Sequence, residues 1–390
     1  MRYLLLFTFQ MMLFFQIAAQ NTGIFITQFS SDSLVKTVRK LSGEDSVIIN
    51  GTKTIIKNRA AYLGGNLTED YLKARLAGYK LTVQTQKYSI NGLNIFGIPK
   101  GSKYPDEVLI IGAHHDAVTN YCADDNASGV AAVMETARIL SGYCFEYTVI
   151  YAFWDEEEAG LWGSTYHAKQ SKTNGQVFRG LINLDMLGYD SNNDRKFDIH
   201  VYPNPVSLSL ADSIKSIIKR YNLNLNPQII NPGSDRGDHY SYWKQGIYSG
   251  IAYGERIFTD DPNPAYHSEN DRIGLFNLPY FYELSKMTIG LTAALAKPCV
   301  TPVSEIKAEN FLQNAEIFPN PTNGEITIDL KHNMKTKIFI CDISGRVLIT
   351  GNFSEPVIRF NLNHYPDGIY LVSITNNVEM ITRKIAKTQY

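Results

Sequence analysis

The continuous apolar run Val108-Leu109-Ile110-Ile111 breaks off into Gly112-Ala113-His114-His115-Asp116. A run with no polar residue at alternate positions predicts a strand buried on both faces of a parallel sheet. In an open α/β sheet the carboxyl ends of the strands face the ligand crevice, so His114 and Asp116 are delivered where such proteins do chemistry. Residues two apart in extended chain share a face. Asp116 can therefore accept the second ring N–H of His114 while the other ring nitrogen meets a metal. The turn Ala123-Asp124-Asp125-Asn126-Ala127-Ser128-Gly129 follows, then a helical run over Val130–Leu140 with Val130, Val133, Met134, Ala137 and Leu140 on one side. Adjacent carboxylates at a helix start, Asp124 and Asp125, suit either a cap or a cation.

The pattern recurs along the chain. A second apolar strand, Tyr147–Trp154, runs into Asp155-Glu156-Glu157-Glu158 and then Gly160-Leu161-Trp162-Gly163-Ser164. A third, Leu181–Leu184, ends at Asp185-Met186, and Tyr266-His267-Ser268-Glu269-Asn270-Asp271 lies in a polar loop. Each stretch offers a hard oxygen or an imidazole. Two cations about 3.5–4 Å apart, held by such ligands, activate a shared water and polarise a carbonyl. One carboxylate must then bridge the cations, and another must stay off them to take the proton of the water. Consecutive residues of extended chain point to opposite sides, so Glu157 and Glu158 can take one role each.

The set His114-x-Asp116, Asp124-Asp125-Asn126-Ala127-Ser128-Gly129, Glu157-Glu158-x-Gly160-Leu161-x-Gly163-Ser164, Asp185-Met186 and Tyr266-His267 resembles the co-catalytic di-zinc aminopeptidases of the bacterial leucyl aminopeptidase and aminopeptidase S type, over about Ile55–Lys297. The resemblance implies that Asp125 bridges two zinc ions, that His114 and Asp185 complete one site, and that Glu158 and His267 complete the other. It further implies that Glu157 is the general base and that Tyr266 stabilises the tetrahedral oxyanion. Asp271 is expected to orient His267 as Asp116 orients His114. In the loop Gly233–Tyr240, Arg236 matches a family segment that contributes an arginine to substrate contacts, and a solvated loop arginine is the competing reading. His239 reads as a spare ligand or as a structural hydrogen-bond partner. The implied activity is removal of N-terminal residues from peptides. The alternatives are a glutaminyl cyclase, a carboxypeptidase or amidohydrolase on the same fold, or a non-enzymatic binding domain.

With 390 residues, 44% of them hydrophobic, the chain exceeds one ordinary domain and can bury a large core. A net charge of −1 and the lack of a basic cluster argue against a nucleic-acid partner. Met1-Arg2-Tyr3 followed by the interrupted apolar run Leu4–Ala19 reads as a signal peptide over residues 1–19, too short and broken for a membrane span. Export permits disulfides among Cys122, Cys144, Cys299 and Cys341. Cys122 follows the carboxyl end of a strand and Cys144 precedes the next one, so a helix separates them. Cys299, after the last helix of the domain, is expected to pair with Cys144.

Short amphipathic helices are expected over Ser33–Leu41 and Asn58–Leu63, and a hairpin of Leu81–Ser89 with Leu93–Ile98 around Asn91-Gly92. Asp190–Asp198 alternates acids and amides like the start of a calcium loop, but Arg195 stands where glycine is usual, so an Asx-rich turn competes with a Ca(2+) site. Ser207–Leu223 reads as a helix, Tyr248–Tyr253 as a strand and Asn277–Lys297 as a closing helix.

The expected fold is thus α/β, a mixed, mostly parallel central sheet with helices on both faces, zinc exopeptidase-like, over residues 20–298. A linker at 299–314 and a small all-β sandwich at 315–390 follow. Phe318-Pro319-Asn320-Pro321-Thr322-Asn323-Gly324, Asp342-Ile343-Ser344-Gly345-Arg346 and Gly368-Ile369-Tyr370 resemble the C-terminal sorting domain of the type IX secretion system. That resemblance implies an outer-membrane secretion machinery as partner and a cell-surface or extracellular destination.

Overall fold

The apolar run at Val108 is the middle of a longer strand in the computed structural model, which describes residues 22–60, 67–299, 311–331, 333, 335–376 and 380–388. The described chain forms two units, Met1–Cys299 and Val300–Tyr390. The strands of the first are β1 (Val47–Ile49), β2 (Thr52–Thr54), β3 (Thr82–Lys87), β4 (Leu93–Ile98), β5 (Tyr104–His114), β6 (Tyr147–Trp154), β7 (Val177–Leu184), β8 (Lys196–Val201), β9 (Asn226–Ile230) and β10 (Gly250–Gly254). Its helices are α1 (Gly23–Ile26), α2 (Ser31–Leu41), α3 (Leu67–Gly78), α4 (Gly129–Leu140), α5 (Trp162–Thr173), α6 (Pro205–Tyr221), α7 (Asp238–Trp243) and α8 (Leu278–Ala296).

Eight strands make one sheet in the order β3-β4-β6-β5-β7-β10-β8-β9, while β1 and β2 pair separately. The centre is parallel, with β6–β5, β5–β7 and β7–β10 running the same way. β8–β9 is also parallel, whereas β3–β4, β4–β6 and β10–β8 are antiparallel. Alternate residues of β5 serve opposite faces. Leu109, Ile111 and Ala113 join one core with Val130, Val133, Met134 and Ala137 of α4 and Leu284 and Met287 of α8. Val108 and Ile110 join Phe96, Ile150, Trp154, Ala168 of α5 and Tyr242 of α7 on the other side. Every position of the run is therefore apolar, and each fully buried aliphatic side chain contributes about 1.5–3 kcal/mol.

The helix expected over Ser33–Leu41 is α2, begun two residues earlier at Ser31 and capped by Ser30, whose side chain accepts the N–H of Ser33. The expected hairpin is β3–β4, and α6, β10 and α8 stand where the periodicity put them. The helix expected from Asn58 is not formed over residues 58–60. Asn58 makes a β-bridge to Asn120, and the side chain of Arg59 is buried among backbone carbonyls, so long-range hydrogen bonds override a short amphipathic pattern. Residues 61–63, the expected signal peptide at 1–19 and residues 300–310 of the expected linker lie outside the described residues. Among the described residues no helix is long and apolar enough to cross a membrane.

The second unit pairs a sheet of β11 (Glu316–Phe318), β12 (Glu325–Asp329) and β15 (Val357–Asn361) with one of β13 (Thr336–Asp342), β14 (Val347–Phe353), β16 (Gly368–Thr375) and β17 (Met380–Lys387). Inward residues such as Ile326, Ile328, Ile338, Ile340, Val372 and Ile374 share one core, the alternation expected of a two-sheet sandwich.

Cys144 and Cys299 form a disulfide, with Cα atoms 5.4 Å apart. Cys299 N–H also donates to the Cys144 carbonyl (3.0 Å) and Glu146 N–H to that of Lys297 (2.7 Å), so the chain leaving α8 is sewn to the entry of β6. Cys122 and Cys341 are free thiols. Replacing both Cys144 and Cys299 by Ala is expected to lower unfolding stability by about 2–4 kcal/mol, by the effect of cross-linking a long loop. Denaturant unfolding of wild type and double variant, each with and without reductant, measures it. A wild type insensitive to reductant would contradict the bridge.

Candidate metal centre

The neighbours β6, β5, β7 and β10 all end at the same sheet edge, so the residues that follow them are brought together. His114 closes β5, Asp185 follows β7, and Asp155–Glu158 follow β6. Non-glycine residues in the left-handed region gather on these loops: Tyr121 (φ 72), Cys122 (φ 44), Glu156 (φ 55), Met186 (φ 54) and His267 (φ 57). Side-chain residues hold such backbone only where their surroundings dictate it.

Two sets of ligand atoms converge. His114 Nε2 stands 3.3 Å from Asp125 Oδ1 and 3.3 Å from Asp185 Oδ1. His267 Nε2 stands 3.2 Å from Asp125 Oδ2 and 3.2 Å from Glu158 Oε2. Among the described residues these are the two places where three His, Cys, Asp or Glu side chains meet in this way, and Asp125 gives one oxygen to each. Zinc bonds of about 2.0–2.1 Å in a tetrahedron put neighbouring ligand atoms about 3.3–3.4 Å apart, the separation seen in both sets.

The electrostatics fit a cation as well. Burial opposes ionisation of Asp125, yet hydrogen bonds from His114 and His267 hold its carboxyl below the ordinary range. Burial, then the charge of Asp125, pushes Glu158 up to about 8. Burial raises Asp185, and burial together with the charges of Asp238, Asp185 and Glu158 raises Glu157 well above a normal glutamate. His267 is raised by its hydrogen bond to Asp125, and burial and nearby carboxylates keep the Tyr266 phenol protonated. Glu158 Oε1 is buried with no hydrogen-bond partner among the described residues. Crowded carboxylates with an orphaned oxygen and two imidazoles are a donor set suited to divalent ions.

The supporting contacts differ in part from those expected. Asp116 Oδ1 lies 3.4 Å from His114 Nδ1. The Asp116 carboxylate also accepts the backbone N–H groups of Glu157 (3.2 Å) and Glu158 (3.1 Å). Those two glutamates sit in a turn begun at Glu156, not in extended chain, and the separation of their side chains comes from that turn. Asp271 does not orient His267. Its carboxylate accepts the N–H groups of Asp124 (2.9 and 3.0 Å) and Asp125 (2.9 Å), and the ring of His267 stacks on Tyr266 at 3.7 Å between centroids. Asp124 is neither cap nor ligand: it accepts from Gly188 N–H (2.8 Å) and the Asn263 amide (3.0 Å).

The cleft is lined by His114, Asp125, Glu157, Glu158, Asp185 and Tyr266, and Arg236 reaches its wall with the guanidinium 4.7 Å over the Phe258 ring. His239 is buried, hydrogen-bonds the Ser234 carbonyl (3.0 Å) and packs edge-on against Trp243, apart from both ligand sets. In the segment read as a calcium loop or turn, Asp190 pairs with Arg195, Asp194 with Lys196 and Asp198 with Arg256, and Asn192 and Asp194 accept backbone N–H groups two residues on. These are the contacts of an Asx-rich turn running into β8, and the segment joins neither ligand set.

Sequence reasoning missed Asn126, whose amide donates to the Leu184 carbonyl (2.9 Å) and accepts from Gly129 N–H (2.9 Å), tying the Asp125 turn to the end of β7. It also missed Asn183, whose buried amide lines the cleft and finds no hydrogen-bond partner among the described residues, and the buried Asp238. Asn126 adjoins Asp125 and was open to suspicion. Asn183 sits inside an apolar strand and carried no signal.

Donor residues at the carboxyl ends of central parallel strands define an α/β metalloprotein of the exopeptidase-like class. The chain belongs to peptidase family M28, which residues 94–289 match, and residues 316–388 match the secretion system C-terminal sorting domain. Leucine aminopeptidase 1 of Trichophyton equinum is 28% identical over 209 residues, 49% of this chain and 55% of that protein. The chain thus spans about half the length of the curated relatives it matches. In fold it is similar to the LapA aminopeptidase of Legionella pneumophila, with a TM-score of 0.60 and 22% identity over 71% of this chain and 74% of that one. It is also similar in fold to the glutaminyl cyclase of Porphyromonas gingivalis, with a TM-score of 0.53 and 19% identity over 68% and 98%.

Gly254, the last residue of β10, lets the chain pass directly against Asp185: a Cβ there would fall on the Asp185 carbonyl oxygen and lie 3.1 Å from that of Met186. Gly254→Ala is expected to displace the Asp185 loop, lower stability by about 1–3 kcal/mol as overpacking does, and weaken metal retention. Thermal unfolding and metal analysis of the dialysed variant measure both, and wild-type values for the pair would contradict the close approach.

Proposed function

We propose that the chain is an exported zinc aminopeptidase with a pair of metal sites, and that the arrangement of Asp125 between His114 and His267 carries this reading. Asp125 would be shared by both ions, His114 and Asp185 would hold one, and Glu158 and His267 the other. Zinc bound there supplies a Lewis acid for the scissile carbonyl and lowers the pKa of water toward about 7. Glu157 is in the cleft but outside both ligand sets, and its raised proton affinity suits a base that takes a proton from water and returns it to the leaving amine. Tyr266 keeps its phenolic proton and can donate it to a developing oxyanion. Arg236, on the cleft wall, is a candidate contact for the substrate peptide. The relative named leucine aminopeptidase supports the exopeptidase direction.

The likeness to a glutaminyl cyclase is one of fold, whereas two ligand sets sharing Asp125, with the Glu157 carboxylate beside them, suit activation of a water for hydrolysis. The sorting domain at 316–388 supports delivery to the cell surface or the medium through the type IX secretion machinery.

Glu157→Gln is expected to keep the zinc content of wild type and to lower kcat by about 10²–10⁴-fold, the usual share of a general base. Asp125→Asn is expected to lose metal from both sites. Metal analysis together with turnover of free-amine, N-blocked and N-terminal glutamine peptides tests both variants. Normal turnover by Glu157→Gln would remove the mechanism, and cyclisation without hydrolysis would transfer the chain to the cyclases.

A further inference from the structure

Arg59 is fully buried, yet among the described residues its guanidinium meets no carboxylate within hydrogen-bond reach. All of its donors go to backbone carbonyls instead. Nε donates to His115 (3.0 Å), Nη1 to Leu41 (2.9 Å) and Tyr121 (2.7 Å), and Nη2 to Cys122 (2.8 Å) and Asp125 (3.2 Å). A guanidinium has five N–H donors in a fixed plane, and here every donor is used. His115 lies between His114 and Asp116, Asp125 is the shared residue of both ligand sets, and Tyr121 and Cys122 are consecutive non-glycine residues in left-handed conformation. One side chain thus spans the loop from beside the first ligand to the bridging one and holds the carbonyls of both its left-handed residues.

Arg59 reaches the loop from a segment that runs alongside it. Tyr121 N–H donates to the Lys57 carbonyl (2.8 Å), and the Asn58 amide donates to Asn120 (3.1 Å). Glu44, from the same N-terminal part, accepts the N–H of Ile273 and the Arg272 side chain (both 3.3 Å), just past the Asp271 that holds Asp124 and Asp125. Glu44, Lys57, Asn58 and Arg59 all lie before residue 94, where the family match begins. An apolar residue would fill the space without burying a charge. What only a planar five-donor group does is fix several carbonyls at once.

We propose that Arg59, seconded by Asn58, is a positioning residue of the metal centre: its guanidinium sets the backbone of the His115–Asp125 loop so that His114 and Asp125 face the ions. The N-terminal segment is then part of the metal site without offering a ligand.

Because the clamp presupposes the metal centre proposed above, the full chain is first stripped of metal and titrated with zinc against a chromophoric chelator. A wild type that binds no zinc sinks the centre itself. Given wild-type binding, Arg59→Lys is expected to bind zinc about 10–100-fold more weakly, the effect typical of residues that orient ligands. Its cobalt-substituted visible spectrum should shift, and methylguanidinium should restore affinity to Arg59→Ala. Leu34→Ala, a core truncation in α2, serves as the destabilised control and should keep wild-type zinc affinity. Equal losses in Leu34→Ala and Arg59→Lys would reduce Arg59 to packing and overturn the proposal, as would wild-type affinity and spectrum in Arg59→Lys. If Arg59→Lys does not fold, Asn58→Ala decides: weakened zinc binding by folded protein supports the clamp, and unchanged binding overturns it.

Discussion

The site depends on one carboxylate being held between two imidazoles. Asp125 turns an oxygen toward His114 and the other toward His267, residues that arrive from a central strand and from a distant loop. A side chain in that position cannot be placed by its own rotamer alone. Its N–H is held by Asp271, its carbonyl by Arg59, and the next residue, Asn126, is tied to the end of β7. The backbone is thus fixed on both sides of the Cα before any ion adds its attraction. Such preorganisation matters because a displacement well below an ångström changes which oxygen meets which ring.

Much of this was legible in the sequence, for identifiable reasons. A strand buried on both faces has to be apolar at every position, and the run at Val108 shows it; strands of this type deliver their next residues to one edge, so His114, Asp185 and the Glu157-Glu158 pair stood out. The motifs at Phe318–Gly324, Asp342–Arg346 and Gly368–Tyr370 likewise announced a second, β-rich unit, and Ile326, Ile328, Ile338 and Ile340 fill its core. The pairing of Cys144 with Cys299 followed from asking which end of the sheet each cysteine occupies.

The illegible part consists almost wholly of side chains bonded to backbone. Asp271 was expected to serve a neighbouring histidine, and instead it serves two peptide N–H groups in a turn far away in sequence. Asp116, expected beside His114 and 3.4 Å from its ring, also holds the turn of Glu157 and Glu158. Arg59 was read as part of a helix. A peptide group looks alike whatever residue bears it, so such contacts leave no spacing or periodicity behind. Ligands, by contrast, must be of a few chemical types and are recognisable by type.

The covalent tie between Cys144 and Cys299 falls at the last residue of the first unit, just ahead of the stretch leading to the β-rich one. A cut anywhere beyond Cys299 therefore creates a new chain end that is already anchored to the entry of β6. Helix α8, whose Leu284 and Met287 share the core with the central strand, would not unravel from that end. The peptidase unit is in this sense finished off before the sorting unit begins, and trimming the latter would leave the former with a sealed margin.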